Sequence, residues 1–194
     1  MNGGMKHYTY YIIMLLGLLA ACGDSEYEYS NYPCYLVIDN SVHQDQTLAA
    51  SLNPMSPGVF CRIYEQPEDG AETFFFANNQ GASSTKRLNA VDLKRSRVIG
   101  TYNGSGIIVG YGSLDKAFYA FDAQCPNCYK EANLPRYVLM MDTSGKARCN
   151  TCKREYDLNN GGIVSAGTGG DKLIRYHAVN TGALGTLSVT NGSR

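Results

Sequence analysis

The sequence predicts an all-β protein, an antiparallel barrel or sandwich, from two observations. The first is composition: the 194 residues include 15 Tyr and 21 Gly but no Trp, and aromatic residues with frequent glycine favour strands joined by turns. The second is pattern, because short β-rich runs recur between turn signals whereas runs with a 3.6-residue apolar period are few. Helix is therefore expected to be a minor component.

Eleven runs have the length and composition of strands. In chain order they are CYLVID, GVFCRIYE, ETFFFAN, SRVIGTY, GIIVGYG, AFYAFD, RYVLMMD, KARCN, REYDL, KLIRYHAV and GTLSVT. The stretch RYVLMMDTSGKARC is a predicted hairpin, because its Ser-Gly pair supplies the backbone freedom that a tight turn needs. Two short helices are predicted, DQTLAASL and TKRLNAVDL, and NNQGASST at 78–85 is predicted as a surface loop.

The N-terminus has the layout of an export signal. Lys6 and His7 precede an apolar stretch that is too short to span a membrane. The LAAC that ends at Cys22 resembles the lipobox of bacterial lipoproteins, which implies cleavage before Cys22 and a lipid on its sulfur. An ordinary signal peptide or a buried apolar helix is the alternative. Without a twin-Arg motif, the chain is expected to be exported unfolded.

The segment after Cys22 is predicted as a tether. It is polar and acidic and cannot bury enough apolar surface to fold alone. Asp24 and Glu26 resemble the acidic surface-export signals of Bacteroidetes lipoproteins, although a solvated linker would look the same. The predicted location is thus a lipid-anchored position on a cell-envelope membrane, the outer membrane of a Gram-negative bacterium.

The predicted organisation has four parts. Residues 1–21 are a signal peptide, 22–33 the tether, 34–77 an N-terminal β lobe packed on the part that follows, and 78–194 a larger domain whose metal-binding subdomain covers about 123–158. Seventeen basic and seventeen acidic side chains give a formal net charge of zero, so no nucleic-acid partner is expected.

Four of the seven cysteines form two Cys-x-x-Cys pairs, Cys125 with Cys128 and Cys149 with Cys152. Two such turns, about twenty residues apart, are a strong metal signal because each points both of its sulfurs to one side. The alternative is a redox disulfide within each pair. A thioredoxin-type site would need a single pair at a helix N-terminus in a βαβ unit, and the sequence does not indicate one.

The region around these pairs is similar to the cluster-binding domain of Rieske proteins. The stretch AFYAFDAQCPN, and then ARCNTCKREYDLNNGGIVSAGTGGDKLIRYHAVNTGALGTLSV, have that family's order of features over about 107–189. The resemblance implies a Rieske-like antiparallel barrel or sandwich with two metal-binding knuckles. Both histidine ligands of the family are missing, since Asn127 stands at the first position and Cys152 replaces the second.

The missing histidines leave an all-cysteine site of Cys125, Cys128, Cys149 and Cys152. It could hold one zinc, one iron or a ferredoxin-like [2Fe-2S] cluster. Zinc is preferred, because clusters are assembled in the cytoplasm and an unfolded exported chain would lose one, whereas zinc can be captured outside. The expected function is a binding or scaffolding role with a structural zinc site. The alternative is a Rieske-like electron carrier with [2Fe-2S] or mononuclear iron.

The other cysteines and the histidines do not indicate a catalytic site. Cys34 and Cys61 could form a disulfide that closes a loop of about 27 residues and contributes about 3 kcal/mol, or remain two buried free thiols. His43 and His177 lie in no hydrolase pattern, and alternation places His177 on a strand surface. No catalytic residue is predicted, so at most a redox accessory activity is expected.

Overall fold

The computed structural model describes residues 28–192. Cys22 and the predicted signal peptide lie outside the described residues, as does the first half of the predicted tether. Twelve strands, four short helices and one 3-10 turn make up the described part, and every strand pairing is antiparallel. The prediction of an all-β fold is confirmed.

Eight strands form one large curled sheet with the order β1-β12-β11-β6-β5-β2-β3-β4. Their bounds are β1 Tyr35–Asp39, β2 Phe60–Glu68, β3 Ala71–Asn78, β4 Ser83–Arg87, β5 Ile107–Tyr111, β6 Phe118–Asp122, β11 Arg175–Asn180 and β12 Thr186–Thr190. The other four strands form a small sheet with the order β10-β9-β8-β7. They are β7 Leu139–Met141, β8 Lys146–Cys149, β9 Glu155–Asp157 and β10 Ile163–Ala166.

The helices are short, and three of the four follow an Asp or Asn that caps their first turn. They are α1 Asn40–His43, α2 Gln46–Leu52, α3 Ala90–Lys94 and α4 Pro126–Ala132, and a 3-10 turn spans Leu158–Asn160. Asp45 caps α2 by accepting a hydrogen bond from the Leu48 N–H, and α2 covers one face of the large sheet with Leu48 and Leu52. None of the described helices has the length and apolar content to cross a membrane.

The central strands of the large sheet are buried on both faces, which explains their continuous apolar sequence. In β5, Ile107 and Val109 point into a core covered by α2, whereas Ile108 points into a second core. That second core lies between the large and small sheets, where Phe121 of β6 and Tyr156 of β9 are buried. The small sheet is therefore held to the large one by apolar packing.

The residues predicted as an N-terminal lobe, 34–77, do not form a sheet of their own. They supply β1, β2 and β3 of the large sheet, in which β1 pairs with β12 and β2 with β5. The last described strand thus pairs with the first. The predicted metal-binding subdomain corresponds to α4 and most of the small sheet, which extends further than predicted, to Ala166.

Three local predictions differ from the structure. The run SRVIGTY at 96–102 forms only a single bridge, between Val98 and Tyr35, because the chain turns at Gly100 with φ +69°. The stretch predicted as a loop at 78–85 contains the start of β4, an edge strand paired with β3. The helix predicted over TKRLNAVDL begins only at Ala90, since Asn89 accepts hydrogen bonds from two main-chain N–H groups there.

Candidate metal centre

The first cysteine pair lies where β6 leads into α4. Cys125 is the N-cap of that helix, Pro126 occupies the first helical position and Cys128 lies in the first turn. Proline suits this position because its missing N–H has no partner in the helix and its φ is already helical. The Cys125 N–H donates to the Tyr137 carbonyl at 2.8 Å. The turn therefore fixes both sulfurs on the side that faces the small sheet.

The second pair closes the turn between β8 and β9. Cys149 is the last residue of β8, its N–H donates to the Arg154 carbonyl at 2.9 Å, and its carbonyl accepts from the Lys153 N–H at 3.0 Å. Lys153 adopts a left-handed φ of 62°, which lets the chain reverse within four residues. The hairpin predicted from RYVLMMDTSGKARC is confirmed as β7 and β8, and it brings this turn back toward α4.

The four sulfurs converge on one point. The Sγ atoms of Cys125, Cys128, Cys149 and Cys152 all lie within 4.8 Å of one another. Across the two turns, Cys125 Sγ is 3.6 Å from Cys152 Sγ and Cys128 Sγ is 3.8 Å from Cys149 Sγ. A tetrahedral ion with metal–sulfur bonds of about 2.3 Å needs sulfurs about 3.8 Å apart. The four cysteines therefore fit a metal ion, as the sequence predicted, and all four are free thiols.

Exposure and charge distinguish Cys152 from the other three. Cys125, Cys128 and Cys149 are buried, whereas Cys152 is half-buried. Burial raises the pKa of Cys152, but the Arg154 main-chain N–H and guanidinium outweigh this effect and bring the pKa to about 6. Burial raises the pKa of Cys125 to about 11 and also raises that of Cys128. A metal that binds here must therefore displace protons from the buried thiols.

A second layer of residues holds the ligands in place. The Tyr156 hydroxyl lies 3.2 Å from Cys125 Sγ and accepts a hydrogen bond of 2.9 Å from the Asn127 side-chain amide. Such contacts orient metal ligands and stabilise the thiolate form. The Asn127 side chain thus contacts Tyr156 and is not among the converging sulfur atoms.

The loop 167–171 is held by one residue from each turn. Asn127 bonds to the main chain of Asp171 in both directions, each at 3.0 Å, and the Arg154 guanidinium donates to the Thr168 carbonyl at 2.9 Å. A Cβ on Gly170 would lie 2.4 Å from Asn127 Oδ1, so a larger residue there would have to displace the Asn127 side chain. The loop therefore connects the two cysteine turns by polar contacts.

The other candidate residues lie apart from the sulfurs. Cys34 and Cys61 are free and buried in the core on the α2 side of the large sheet, which corresponds to the second arrangement considered from the sequence. His43 is buried with its Nε2 3.0 Å from Asp92 Oδ2, and His177 is exposed on β11 as predicted. A groove of about 530 Å³ runs along β10 and residues 169–172, and none of the four cysteines lines it.

Sequence reasoning found the four ligands but missed Tyr156 as a contact of the site and α4 as the element that carries the first pair. Pro126 was the signal for the helix, because proline is favoured at a first helical position. Neither a protein-family model, nor a curated protein, nor a solved structure matches this chain. The function has to be inferred from the chemistry of the site.

Proposed function

We propose that this protein is a lipid-anchored component of a bacterial cell envelope in which Cys125, Cys128, Cys149 and Cys152 bind one structural zinc ion. Its role is to bind or scaffold other envelope components. The observation that carries the proposal is the convergence of the four sulfurs within 4.8 Å of one another. This is the donor set and spacing that closed structural zinc sites use.

The sulfur spacing favours one ion over a binuclear cluster. In a [2Fe-2S] core each iron takes two of the thiolates and the bridging sulfides separate the irons, so thiolates on different irons lie more than about 5 Å apart. The largest separation here is within 4.8 Å. Mononuclear zinc or iron fits this spacing without a change in the protein.

A closed tetrathiolate site suits a structural role. Four protein sulfurs leave no open coordination position for a substrate, and zinc has no redox chemistry. Bound zinc joins the α4 turn, which follows the central strand β6 of the large sheet, to the β8–β9 turn of the small sheet. Structural zinc contributes about 10–16 kcal/mol of apparent binding free energy in small domains, and this becomes folding free energy.

Two further parts of the proposal rely on the sequence. The order of motifs around the cysteines supports a Rieske-like scaffold in which the ligand histidines have been replaced. The LAAC motif supports a lipid on Cys22. Labelling with a radioactive fatty acid tests the anchor: the wild-type chain should be labelled and Cys22→Ser should not, while an equally labelled Cys22→Ser would exclude it.

Electron transfer by a single iron is the second candidate. The partial exposure of Cys152 favours it, because an exposed sulfur ligand gives electrons a short path to a partner. Export argues for zinc, since a chain that folds outside the cytoplasm takes its metal there. Colour separates the two candidates, because zinc tetrathiolates are colourless whereas iron tetrathiolates absorb visible light.

The test is elemental analysis of the chain purified from the envelope of a host that exports it by its own signal. We expect one zinc per chain and no visible absorption. Cys128→Ser should lose the zinc, while the matched control Cys34→Ser, a buried cysteine outside the site, should keep it. One iron per chain with visible absorption would establish the second candidate, and a reduced chain without metal would exclude both.

A further inference from the structure

The sulfurs of the site face each other between the two turns. Cys125 Sγ lies 3.6 Å from Cys152 Sγ, and Cys128 Sγ lies 3.8 Å from Cys149 Sγ. Each of these contacts joins a cysteine of the α4 turn to a cysteine of the β8–β9 turn. A disulfide formed along either contact would therefore join the same two turns that a bound metal joins.

One sulfur is open to solvent. Cys152 is half-buried and both its neighbours, Thr151 and Lys153, are exposed, whereas Cys125, Cys128 and Cys149 are at most 4% exposed. An oxidant that diffuses to the site therefore meets Cys152 first. The sulfur that faces Cys152 at 3.6 Å is that of Cys125.

We propose that peroxide converts the zinc-bound site into two disulfides between the turns, Cys125–Cys152 and then Cys128–Cys149, with release of the zinc. The proposal rests on the proposed function, because it takes the zinc-bound thiolates as its starting state. It makes the site a redox-sensitive one with two closed forms, one joined by zinc and one joined by sulfur–sulfur bonds.

The chemistry balances with the peroxide as the only oxidant. The Cys152 thiolate attacks the peroxide oxygen, the O–O bond breaks, and a sulfenic acid and one hydroxide form. The Cys125 thiolate then attacks the Cys152 sulfur, forming the S–S bond and releasing a second hydroxide. Two electrons have passed from two thiolates to one peroxide. The pair left on the zinc, Cys128 and Cys149, consumes a second peroxide in the same way and frees the ion.

The pairing has a structural consequence. Disulfides within each Cys-x-x-Cys pair would leave no covalent or metal link between the turns once the zinc departs. Disulfides between the turns keep α4 joined to the small sheet, so the oxidised protein retains its fold without metal. The contacts that hold loop 167–171, from Asn127 and Arg154, are also kept because neither turn moves away from the other.

Trypsin separates the two pairings. Cleavage after Lys116 and Lys130 gives a peptide with Cys125 and Cys128, and cleavage after Arg148 and Lys153 gives a peptide with Cys149 and Cys152. The zinc-loaded chain is treated with two equivalents of hydrogen peroxide, its remaining thiols are blocked, and it is digested. We expect mass spectrometry to detect the two peptides as one species joined by two disulfides. Two separate peptides, each with an internal disulfide, would overturn the proposal.

Paired variants assign the first bond. Cys128→Ser with Cys149→Ser leaves the facing sulfurs of Cys125 and Cys152, whereas Cys128→Ser with Cys152→Ser leaves Cys125 and Cys149. We expect the first variant to join the two peptides at least tenfold faster. Equal rates would overturn the assignment of Cys125–Cys152. Wild-type mapping requires neither variant, so it still distinguishes disulfides between the turns from disulfides within each turn where a variant fails to fold.

Zinc analysis before oxidation keeps this test apart from that of the proposed function. A chain without zinc before peroxide treatment contradicts the proposed function. A chain that holds zinc and then forms disulfides within each pair contradicts only the present proposal. Zinc release, followed with a chromophoric chelator, should be complete at about two equivalents of peroxide, and retention of zinc beyond that point would also overturn it.

Discussion

Asn127 and Asp171, which are 44 residues apart, bond to each other in both directions: the Asn127 amide donates to the Asp171 carbonyl, and the Asp171 N–H donates to Asn127 Oδ1, each at 3.0 Å. Because Asn127 lies between the first two ligand cysteines, this contact ties loop 167–171 directly to the α4 turn. Asn127 therefore acts as a support of the metal centre and not as one of its ligands.

Asn127→Ala should weaken the fold but keep the metal. The variant loses the bonds to Asp171 and Tyr156, and we expect the free energy of unfolding in urea to fall by about 1–2 kcal/mol. Asn150→Ala, which changes an exposed residue of the other turn, is the matched control and should change it by less than about 0.5 kcal/mol. Loss of metal from Asn127→Ala at saturating zinc would show that Asn127 has a larger role.

Gly145→Ala should be more costly than Gly161→Ala. Both glycines have positive φ, +77° and +63°, but a Cβ on Gly145 would lie 2.3 Å from Asn159 Nδ2 whereas a Cβ on Gly161 meets no atom within 4 Å. Gly161→Ala should cost about 1 kcal/mol, the backbone effect alone. Gly145→Ala should cost at least about 2 kcal/mol, because the hairpin turn and Asn159 must also shift. Equal urea midpoints would contradict the packing described at this turn.

Asp122 should make stability depend on pH. It is fully buried, accepts hydrogen bonds from the Tyr176 hydroxyl and from two main-chain N–H groups, and burial raises its pKa despite these bonds. The folded state therefore holds this proton more tightly than the unfolded state. Its contribution to stability is present below the ordinary carboxyl pKa of about 3.9 and is lost as pH rises through the raised value.

Asp122→Asn removes that titration. We expect the difference in free energy of unfolding, wild type minus Asp122→Asn, to decrease as pH increases from about 4 toward neutrality. The test is the change of this difference with pH and not its absolute size. The amide introduced by Asp122→Asn also alters the hydrogen bonds, but that effect shifts the difference by the same amount at every pH. A difference that is constant with pH, or that increases, would show that the Asp122 pKa is not raised by folding.

Cys34 and Cys61 should be present as thiols that react only on unfolding. Burial raises the pKa of Cys34 to about 12 and also raises that of Cys61, and a buried protonated thiol is a poor nucleophile. In the zinc-loaded chain at pH 8, Ellman's reagent should not react with either cysteine, and urea should expose both. If Cys34 and Cys61 instead formed a disulfide, the assay in urea without a reductant would detect no thiol from either of them.

The sequence predicted the four-cysteine cluster, because the spacing of the two Cys-x-x-Cys pairs is local information and few residue types can serve as soft metal ligands. It also predicted most strands. β5 and β6, for example, are buried on both faces, so each forms a continuous apolar run that is recognisable in the sequence. It did not predict β4, whose polar sequence SSTKR becomes a strand only because β3 offers it an edge. Nor did it predict that residues 34–77 belong to the large sheet, since the pairing of β1 with β12 joins the first and last described strands, which are far apart in the sequence.

The surroundings of the site could be predicted least. Tyr156 and Asp171 reach the α4 turn through the folding of the small sheet and loop 167–171, and no local pattern in the sequence encodes those contacts. The half-buried state of Cys152 likewise depends on how the β8–β9 turn projects from the sheet. The four cysteines can therefore be identified from the sequence, whereas the contacts that orient their side chains, and the exposure of each sulfur, depend on the tertiary structure.

X-ray absorption at the zinc edge of the envelope-purified chain tests most directly whether the four cysteines share one ion. We expect a single shell of four sulfurs at about 2.3 Å and no second metal nearby, lost in Cys128→Ser and unchanged in Cys34→Ser. A nearby metal neighbour, or a shell in which nitrogen or oxygen replaces sulfur, would mean that the four thiolates do not close around one ion.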